Sequence, residues 1–546
     1  MSIYKDKPWL SLYHKSVGET IQVDDHLSLN DLFTQSVEKH KNKTAITFYD
    51  RTFTYEQVDG ITKQYTSSLH SLGFTKGDRL AVMLPNTPHY LFTLFSVSKL
   101  GGIGVQVNPM YIEREIEHVL ADSGAEYMIV LDQLYPRVKQ IQEKTNLKHV
   151  IVVSLGSQVI EIDEHDFYYE DFLKCGIEEP PQVEINPGED VAMLQYTGGT
   201  TGVSKGVMLT HRNLITNLEQ IYEFMFKPIE YPDNPKIMSV LPMFHIYGLT
   251  CNVFLGFKCG CNQIILPRFD LQEVVETVKR EKPFQFSGVP TMYVALNSHP
   301  KLEEYEFDQV SYFNSGGSAM PVEQLHLFEK RTNCNLCEGY GLSEASPTTH
   351  FNPPTRERKV GSVGIPLPGL ESKIIQETER GIVEVPVGEV GELIVKGPQV
   401  MKGYWQREEE TSAVLKDGWL FTGDLARMDE NGYFYIVDRK KDMIIASGYN
   451  VYPREIEEIL YQHPAIQEVI VVGVPDEYRG ETVKAFITLK SGESTTEEEV
   501  ISFTKTLLAP YKVPKYVEIR EELPKSAVGK LLRRKLRDEE VKKARS

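Results

Sequence analysis

A chain of 546 residues is too long for one ordinary hydrophobic core, so at least two domains are expected. With 41% hydrophobic and 25% charged residues it has the make-up of a folded globular protein, which excludes disorder as its main state. The net charge of −18 repels a phosphate backbone and anionic lipid. General nucleic-acid binding and broad membrane adsorption are thereby disfavoured, while a local basic groove or apolar patch is allowed.

The N-terminal MSIYKDKPWLSLYHK has no apolar core of signal-peptide length. Strand-like runs at residues 44–49 and 79–83 flank a helical stretch at 55–72, and further strands follow at 125–131 and 149–153. The longest apolar stretch, residues 90–107, is interrupted by Lys99, Gly101 and Gly102. It therefore reads as a buried helix running into a strand, and any membrane contact is expected to be peripheral. Alternating strands and helices predict the α/β class, a large N-terminal domain of layered β-sheets and helices.

Six cysteines in so long a chain suggest no disulfide framework. Cys259 and Cys261 form a CxC and Cys334 and Cys337 a CxxC, spacings a zinc site uses, but no His or Cys stands beside them at a finger-like distance. Buried thiols are the plainer expectation. Residues 334–340 also read as a strand entering a glycine turn.

Towards the C-terminus a strand at 433–437 leads into the charged Asp438-Arg-Lys-Lys-Asp442. A helix is expected to open at Pro453, since proline suits the first helical turn. Strands at 467–473 and 482–489, a helix at 495–508 and a basic helical tail after Val528 complete a small α+β domain. The boundary is placed near Lys440 and Lys441, giving domains 1–440 and 441–546. No internal repeat or low-complexity tract is present.

The most informative stretch is YTGGTTGVSKG at residues 196–206. Gly198, Gly199 and Gly202 let the backbone curl so that several N–H groups converge on an anion. Thr197, Thr200 and Thr201 add hydroxyl donors and Lys205 a positive charge, which is what a triphosphate tail requires. The spacing is not GxxxxGK[ST], so this is not the P-loop device. A surface glycine turn is the bland alternative. The same residues contain GxSxG around Ser204, the nucleophile elbow of serine hydrolases. That elbow needs a strand directly before it and a helix directly after. Here a glycine–threonine loop precedes, and residues 207–210 look extended.

The loop resembles the YTSGTTGxPKG signature of the adenylate-forming superfamily of acyl-CoA synthetases, luciferase-like enzymes and adenylation domains. Gly198 replaces the usual serine and Ser204 the usual proline, which alters loop stiffness and leaves Lys205 in place. The likeness covers nearly the whole chain, with motifs in family order: LPMFHIYG at 241–248, NSGGS at 314–318, EGYGLSE at 338–344, Gly391-Glu392, GWLFTGD at 418–424, DRKKD at 438–442, SGYN at 447–450 and PKSAVGK at 524–530. Across residues 417–457 and at the N-terminal KPWL the chain is similar to bacterial long-chain fatty acyl-CoA ligases.

The resemblance implies a two-step ligation with ATP, Mg²⁺ and coenzyme A. A carboxylate first attacks the ATP α-phosphate, giving acyl-AMP and pyrophosphate; the acyl group then passes to the CoA thiol. It assigns Thr197 to Lys205 to the outer phosphates, Glu344 to Mg²⁺, and Ser343 to the α-phosphate. Gly316, Gly317, Ser318, Glu338, Gly339, Tyr340 and Gly341 would border adenine, with Tyr340 stacking on it. Asp424 and Arg439 would hold the ribose, and Lys530 would reach the α-phosphate and the carboxylate. His245, Gly288, Val289 and Gly316 would line the acyl channel, and His245, Ser447, Gly448 and Tyr449 the pantetheine path. Lys441 matches the hinge of a mobile C-terminal lid. Read without the family, Asp424 fits a helix cap or turn, His245 a structural histidine and Lys530 a solvated basic tail.

A fatty acid of medium to long chain is the expected substrate. Aryl acids, transfer to a carrier protein, esterase chemistry at Ser204 and a silent binding protein are the alternatives. A cytoplasmic protein is expected, with peripheral contact at the inner face of the membrane and a homodimer left open.

Overall fold

A computed structural model describes residues 3–156, 160–176, 179–197, 203–379, 381–446, 448–476 and 479–545. Two α/β sheets make the body of the molecule. The first runs, in spatial order, Ile365–Pro366, Thr348–Phe351, Leu336–Gly341, Tyr312–Ser315, Gln285–Gly288, Lys236–Ser239, Asn262–Ile265, Thr44–Phe48 and Arg51–Thr54. It is parallel from Leu336–Gly341 to Thr44–Phe48, and antiparallel only at its ends.

The second sheet runs Gly403–Tyr404, Lys205–Thr210, Val191–Thr197, Ile103–Gln106, Arg79–Met83, Tyr127–Leu131, His149–Val153 and Phe167–Tyr168. Its parallel strands are nearly continuous apolar runs, as strands covered on both faces must be.

The long apolar stretch is the helix Pro88–Lys99 followed by the strand Ile103–Gln106. Proline opens that helix and Tyr90 through Ser98 are all buried in it. It packs against the helices Leu29–His40 and Tyr55–Ser71. The turn between helix and strand needs its glycines: Gly101 has φ +64°, and a Cβ on Gly102 would stand 2.4 Å from the Phe74 ring. Among the described residues, no helix is long and apolar enough to cross a membrane.

A third, antiparallel sheet holds Gly381–Glu384, Glu371–Thr378, Gly391–Lys396, Trp419–Met428 and Leu415–Lys416, with Phe434–Arg439 branching from Trp419–Met428. The fourth contains Tyr449–Val451, Ile444–Ala446, Gly480–Leu489, Ile466–Asp476 and Tyr516–Ile519. Its core, built around Ile456, Val471, Ile487 and Val517, draws on no residue before Ile444. The chain thus passes from the third sheet to the fourth over residues 440–443.

Two expected helices are shorter than the sequence suggests. The predicted helix at 495–508 spans Glu497–Lys505, opened by a capping box between Thr496 and Glu499. The tail becomes helical only at Arg533–Arg545. Before it, residues 525–531 fold into a turn in which Ser526 N–H donates to the Lys530 carbonyl, and Gly529 takes φ +77°. A helix cannot run through that left-handed residue.

Candidate active site

The strands Val191–Thr197 and Lys205–Thr210 pair antiparallel, with Thr197 opposite Lys205. These two strands therefore form a hairpin; Gly198, Gly199, Thr200, Thr201 and Gly202 lie outside the described residues. The hairpin is braced from several sides. Gly403 and Tyr404 add a strand to it, opposite Met208 and Val207. Trp405 N–H donates to the Gly206 carbonyl (2.8 Å), and His118 Nε2 lies 2.8 Å from the Ser204 carbonyl oxygen. Tyr196 and Arg407 both donate to the Asp122 carboxylate at 2.7 Å. Because Lys205 opens a strand, Ser204 lacks the strand–turn–helix setting that an esterase nucleophile requires.

Glu344 sits in the one-turn helix Ser343–Ala345. The Tyr404 hydroxyl donates to its Oε1 at 2.8 Å, and the Lys205 ammonium stands 5.1 Å from the centroid of the same Tyr404 ring. One tyrosine therefore ties the hairpin cation to the nearby carboxylate. Nothing in the sequence analysis singled out Tyr404. A two-residue strand has no periodicity, and the signal available was only the Gly403-Tyr404-Trp405 triplet.

The strand Leu336–Gly341 supplies Glu338, Gly339, Tyr340 and Gly341. Its glycines have a packing cause. A Cβ on Gly339 would lie 2.4 Å from the Phe351 ring, and one on Gly341 2.1 Å from the Pro347 carbonyl oxygen. The chain from Pro347 to Phe351 leaves no room for a side chain at either position. Tyr340 donates to Asp424 Oδ2 at 2.5 Å, and Arg439 lies 3.4 Å from Asp424 Oδ1 across the paired strands.

Glu338 accepts the Met320 N–H at 3.1 Å, and burial pushes its carboxyl up to about 7 from 4.5. Below pH 4.5 the group is protonated folded or unfolded. Between 4.5 and 7 only the unfolded chain ionises it, so stability falls as pH rises and the full penalty stands above 7. Glu338→Gln keeps the acceptor and removes the charge. It is expected to unfold at a higher temperature than wild type at pH 8, by an amount worth roughly 1–3 kcal/mol, and at the wild-type temperature near pH 4.5; thermal denaturation at the two pH values checks this.

Gly316 and Gly317 follow the strand Tyr312–Ser315, with Ser318 in the bend after them. Gly317 has φ +82°, and a Cβ on Gly316 would meet the Tyr247 ring at 3.2 Å. Tyr247 donates to Asn314 Oδ1 (2.5 Å) and to the Gly288 carbonyl (3.4 Å), so its ring fills the space between Gly288 and Gly316. Val289 is buried. His245 caps the short helix Ile246–Gly248, its Nδ1 accepting the Tyr247 N–H at 3.3 Å. Burial, then the Lys530 charge, push the imidazole down to about 4, leaving it neutral.

Lys530 reaches this region from the tail turn. Thr291 donates to the Gly529 carbonyl at 2.8 Å, and a Cβ on Gly529 would lie 2.7 Å from Thr291 Oγ1 and 3.2 Å from Val289 Cγ2. The Arg439 charge, followed by burial, holds the Lys530 ammonium down at about 7, against the pull of Asp424. Lys441, in the crossing between sheets, is held at about 8 by burial and Arg439. The structure thus groups Lys530, Arg439, Asp424, Tyr340 and His245, and separately Lys205, Tyr404 and Glu344. It does not bring Gly448 or Tyr449 to them: both are exposed, and the Tyr449 ring stacks on Tyr511 at 4.6 Å. Ser447 lies outside the described residues.

Comparison with known proteins gives the family. The AMP-binding enzyme family matches residues 33–405, and the AMP-binding enzyme C-terminal domain matches residues 455–530. A long-chain-fatty-acid–CoA ligase of Bacillus subtilis (strain 168) is 44% identical, with 98% of each chain covered. One of Escherichia coli O6:H1 is 40% identical, again over 98% of each chain. Among solved structures, the anthranilate CoA ligase AuaEII in complex with anthranoyl-AMP superposes with a TM-score of 0.87 at 26% identity, covering 96% of this chain and 99% of that one. ATP-bound MatB from Rhodopseudomonas palustris gives 0.84 at 28% identity, with 94% and 99% covered. The chain has the α/β adenylate-forming fold and belongs to the AMP-binding enzyme family.

Proposed function

We propose that this enzyme is a long-chain fatty acid–CoA ligase working through acyl-AMP, with 1–440 as the nucleotide- and acyl-binding domain and 441–546 as a mobile lid turning about Lys441. The observation that carries the proposal is the tail lysine, Lys530, in a turn that Thr291 holds at Gly529, with Asp424, Arg439 and His245 acting on its charge. A cation there neutralises charge where carboxylate and α-phosphate meet, in surroundings that strengthen the interaction.

Asp424 would accept both ribose hydroxyls, with Tyr340 and Arg439 fixing its orientation. Lys205 and the hairpin N–H groups would hold the outer phosphates. Glu344 fits a magnesium ligand: it is a hard carboxylate donor whose Oε1 is positioned by Tyr404, next to the lysine that would hold the same phosphates. Bound there, the ion would neutralise charge on the departing pyrophosphate. Neutral His245 would border the acyl and pantetheine channel without adding charge to it. The lid would then turn, withdrawing Lys530 and carrying Gly448 and Tyr449, now exposed, toward the thiol's path. In the same proposal the enzyme meets its fatty acid from the cytoplasm, at the membrane's inner face.

The aryl-CoA ligases among the structural relatives keep a second substrate class in view, since Tyr247 narrows the space between Gly288 and Gly316. The higher identity to the fatty-acid ligases favours the first reading. Pyrophosphate release measured over acids from acetate to oleate, and benzoate, with and without CoA, tests it. The expected result is a maximum at long chains and sustained turnover only with CoA. Release confined to aryl acids would reassign the substrate, and no release with any acid would remove the proposal.

A further inference from the structure

Arg533 opens the tail helix three residues after Lys530. Three carboxylates from three elements meet its guanidinium. Asp438, in the strand Phe434–Arg439, offers Oδ1 at 3.0 Å, and Asp442 offers Oδ2 at 3.4 Å. Glu457, in the helix Pro453–Leu460, offers both oxygens at 2.8 and 2.9 Å. The side chains of Asp438, Asp442 and Glu457 are only 3%, 9% and 16% exposed. One turn further on, Arg537 donates to the Lys441 carbonyl and to Asp442, both at 3.1 Å.

These contacts straddle the crossing between the third and fourth sheets. Asp438 is fixed to the third sheet, opposite Leu425, whereas Glu457 belongs to the unit built on the fourth. Three carboxylates this close and this dry repel one another unless a cation joins them, and one guanidinium nitrogen, Nη2, reaches both oxygens of Glu457 while Nη1 reaches Asp438 and Asp442. If the small unit turns about Lys441, Glu457 travels with Arg533 and Asp438 does not. The Arg533–Asp438 contact is therefore specific to the orientation in which Lys530 is docked. Arg454 supports the same junction, its N–H donating to Asp438 Oδ2 at 3.0 Å.

We propose that Arg533 is a positioning residue, a latch that clamps the chain on both sides of Lys441 and so holds the Lys530 turn against Thr291 for the first half-reaction. The proposal rests on the two-step reading above. Arg533 touches no reacting atom; it sets which half-reaction the enzyme is arranged to perform.

The test uses the full-length enzyme and two assays: pyrophosphate release from ATP and oleate, and thioester formation from supplied oleoyl-AMP and CoA. Asp438→Asn leaves the Arg533–Glu457 pair in place, so the small unit still folds. It is expected to lower the first rate about tenfold while the second stays within about twofold of wild type or rises. Arg533→Met is expected to lower the first rate further, and Arg533→Lys to recover part of it. Limited trypsin digestion at Lys440 and Lys441 provides a readout independent of catalysis: cleavage should be slow in wild type and severalfold faster in Asp438→Asn. Parallel loss of both rates in Asp438→Asn, or no change in either together with unchanged trypsin cleavage, overturns the latch. If wild type itself releases no pyrophosphate, the ligase reading fails while the digestion still decides the latch.

Discussion

Lys530→Ala is expected to lower acyl-adenylate formation by roughly 10²–10³-fold while thioester formation from supplied acyl-AMP stays within a few-fold of wild type, because in the proposed reaction the charge it removes is one that only the first transition state needs. Single-turnover pyrophosphate release and CoA transfer, measured separately, check both halves; equal losses in the two would contradict the role. The lysine's surroundings add a second readout. In the ligand-free protein the Arg439 charge and burial hold its ammonium down at about 7. At pH 8 it is therefore mostly neutral. An arriving triphosphate favours the charged form and lifts the pKa back above the ambient pH. Nucleotide binding at pH 8 should take up close to one proton, and at pH 6, where the lysine is already charged, far less. Calorimetry in buffers of different ionisation enthalpy measures this, and the uptake should vanish in Lys530→Ala.

Asp424→Ala is expected to be as severe, with a different pattern. Tyr340 and Arg439 aim this carboxylate at one spot. Two charge-assisted hydrogen bonds to ribose hydroxyls are worth roughly 1.5–3 kcal/mol each, so kcat/KM for ATP should fall by about 10²–10⁴-fold. Asp424 also opposes the downward push on Lys530, so its loss leaves the lysine still more neutral. Unlike the lysine variant, this one should damage both half-reactions, since the ribose of the bound adenylate needs the same anchor. A variant that loses adenylation and keeps full thioester transfer would show that Asp424 does not hold the ribose.

Much of the scaffold is legible in the sequence because its strands are buried on both faces. The strand expected at 79–83 is found at Arg79–Met83, and the helix expected at 55–72 at Tyr55–Ser71, capped by Thr54 and Gln57. Local hydrophobic pattern decides such elements. The long-range contacts do not announce themselves in this way. Gly339 and Gly341 suggest room for a ligand, and only the fold reveals that the chain from Pro347 to Phe351 also excludes a side chain there. Tyr404 bridges Lys205 and Glu344 from a segment with no pattern of its own. Arg533 sits in a basic run that sequence reasoning assigns to solvent, whereas three largely buried carboxylates claim it. Charge runs are read by composition, and composition is silent on which single member turns inward.

The strand that stiffens the hairpin proposed to hold the triphosphate comes from Gly403 and Tyr404, about two hundred residues after the segment it pairs with. During synthesis the hairpin strands leave the ribosome long before this partner does. A nascent chain ending short of residue 403 would carry the strand Lys205–Thr210 without this partner, so in the proposed reading nucleotide affinity should emerge late in translation, shortly before the C-terminal unit is made.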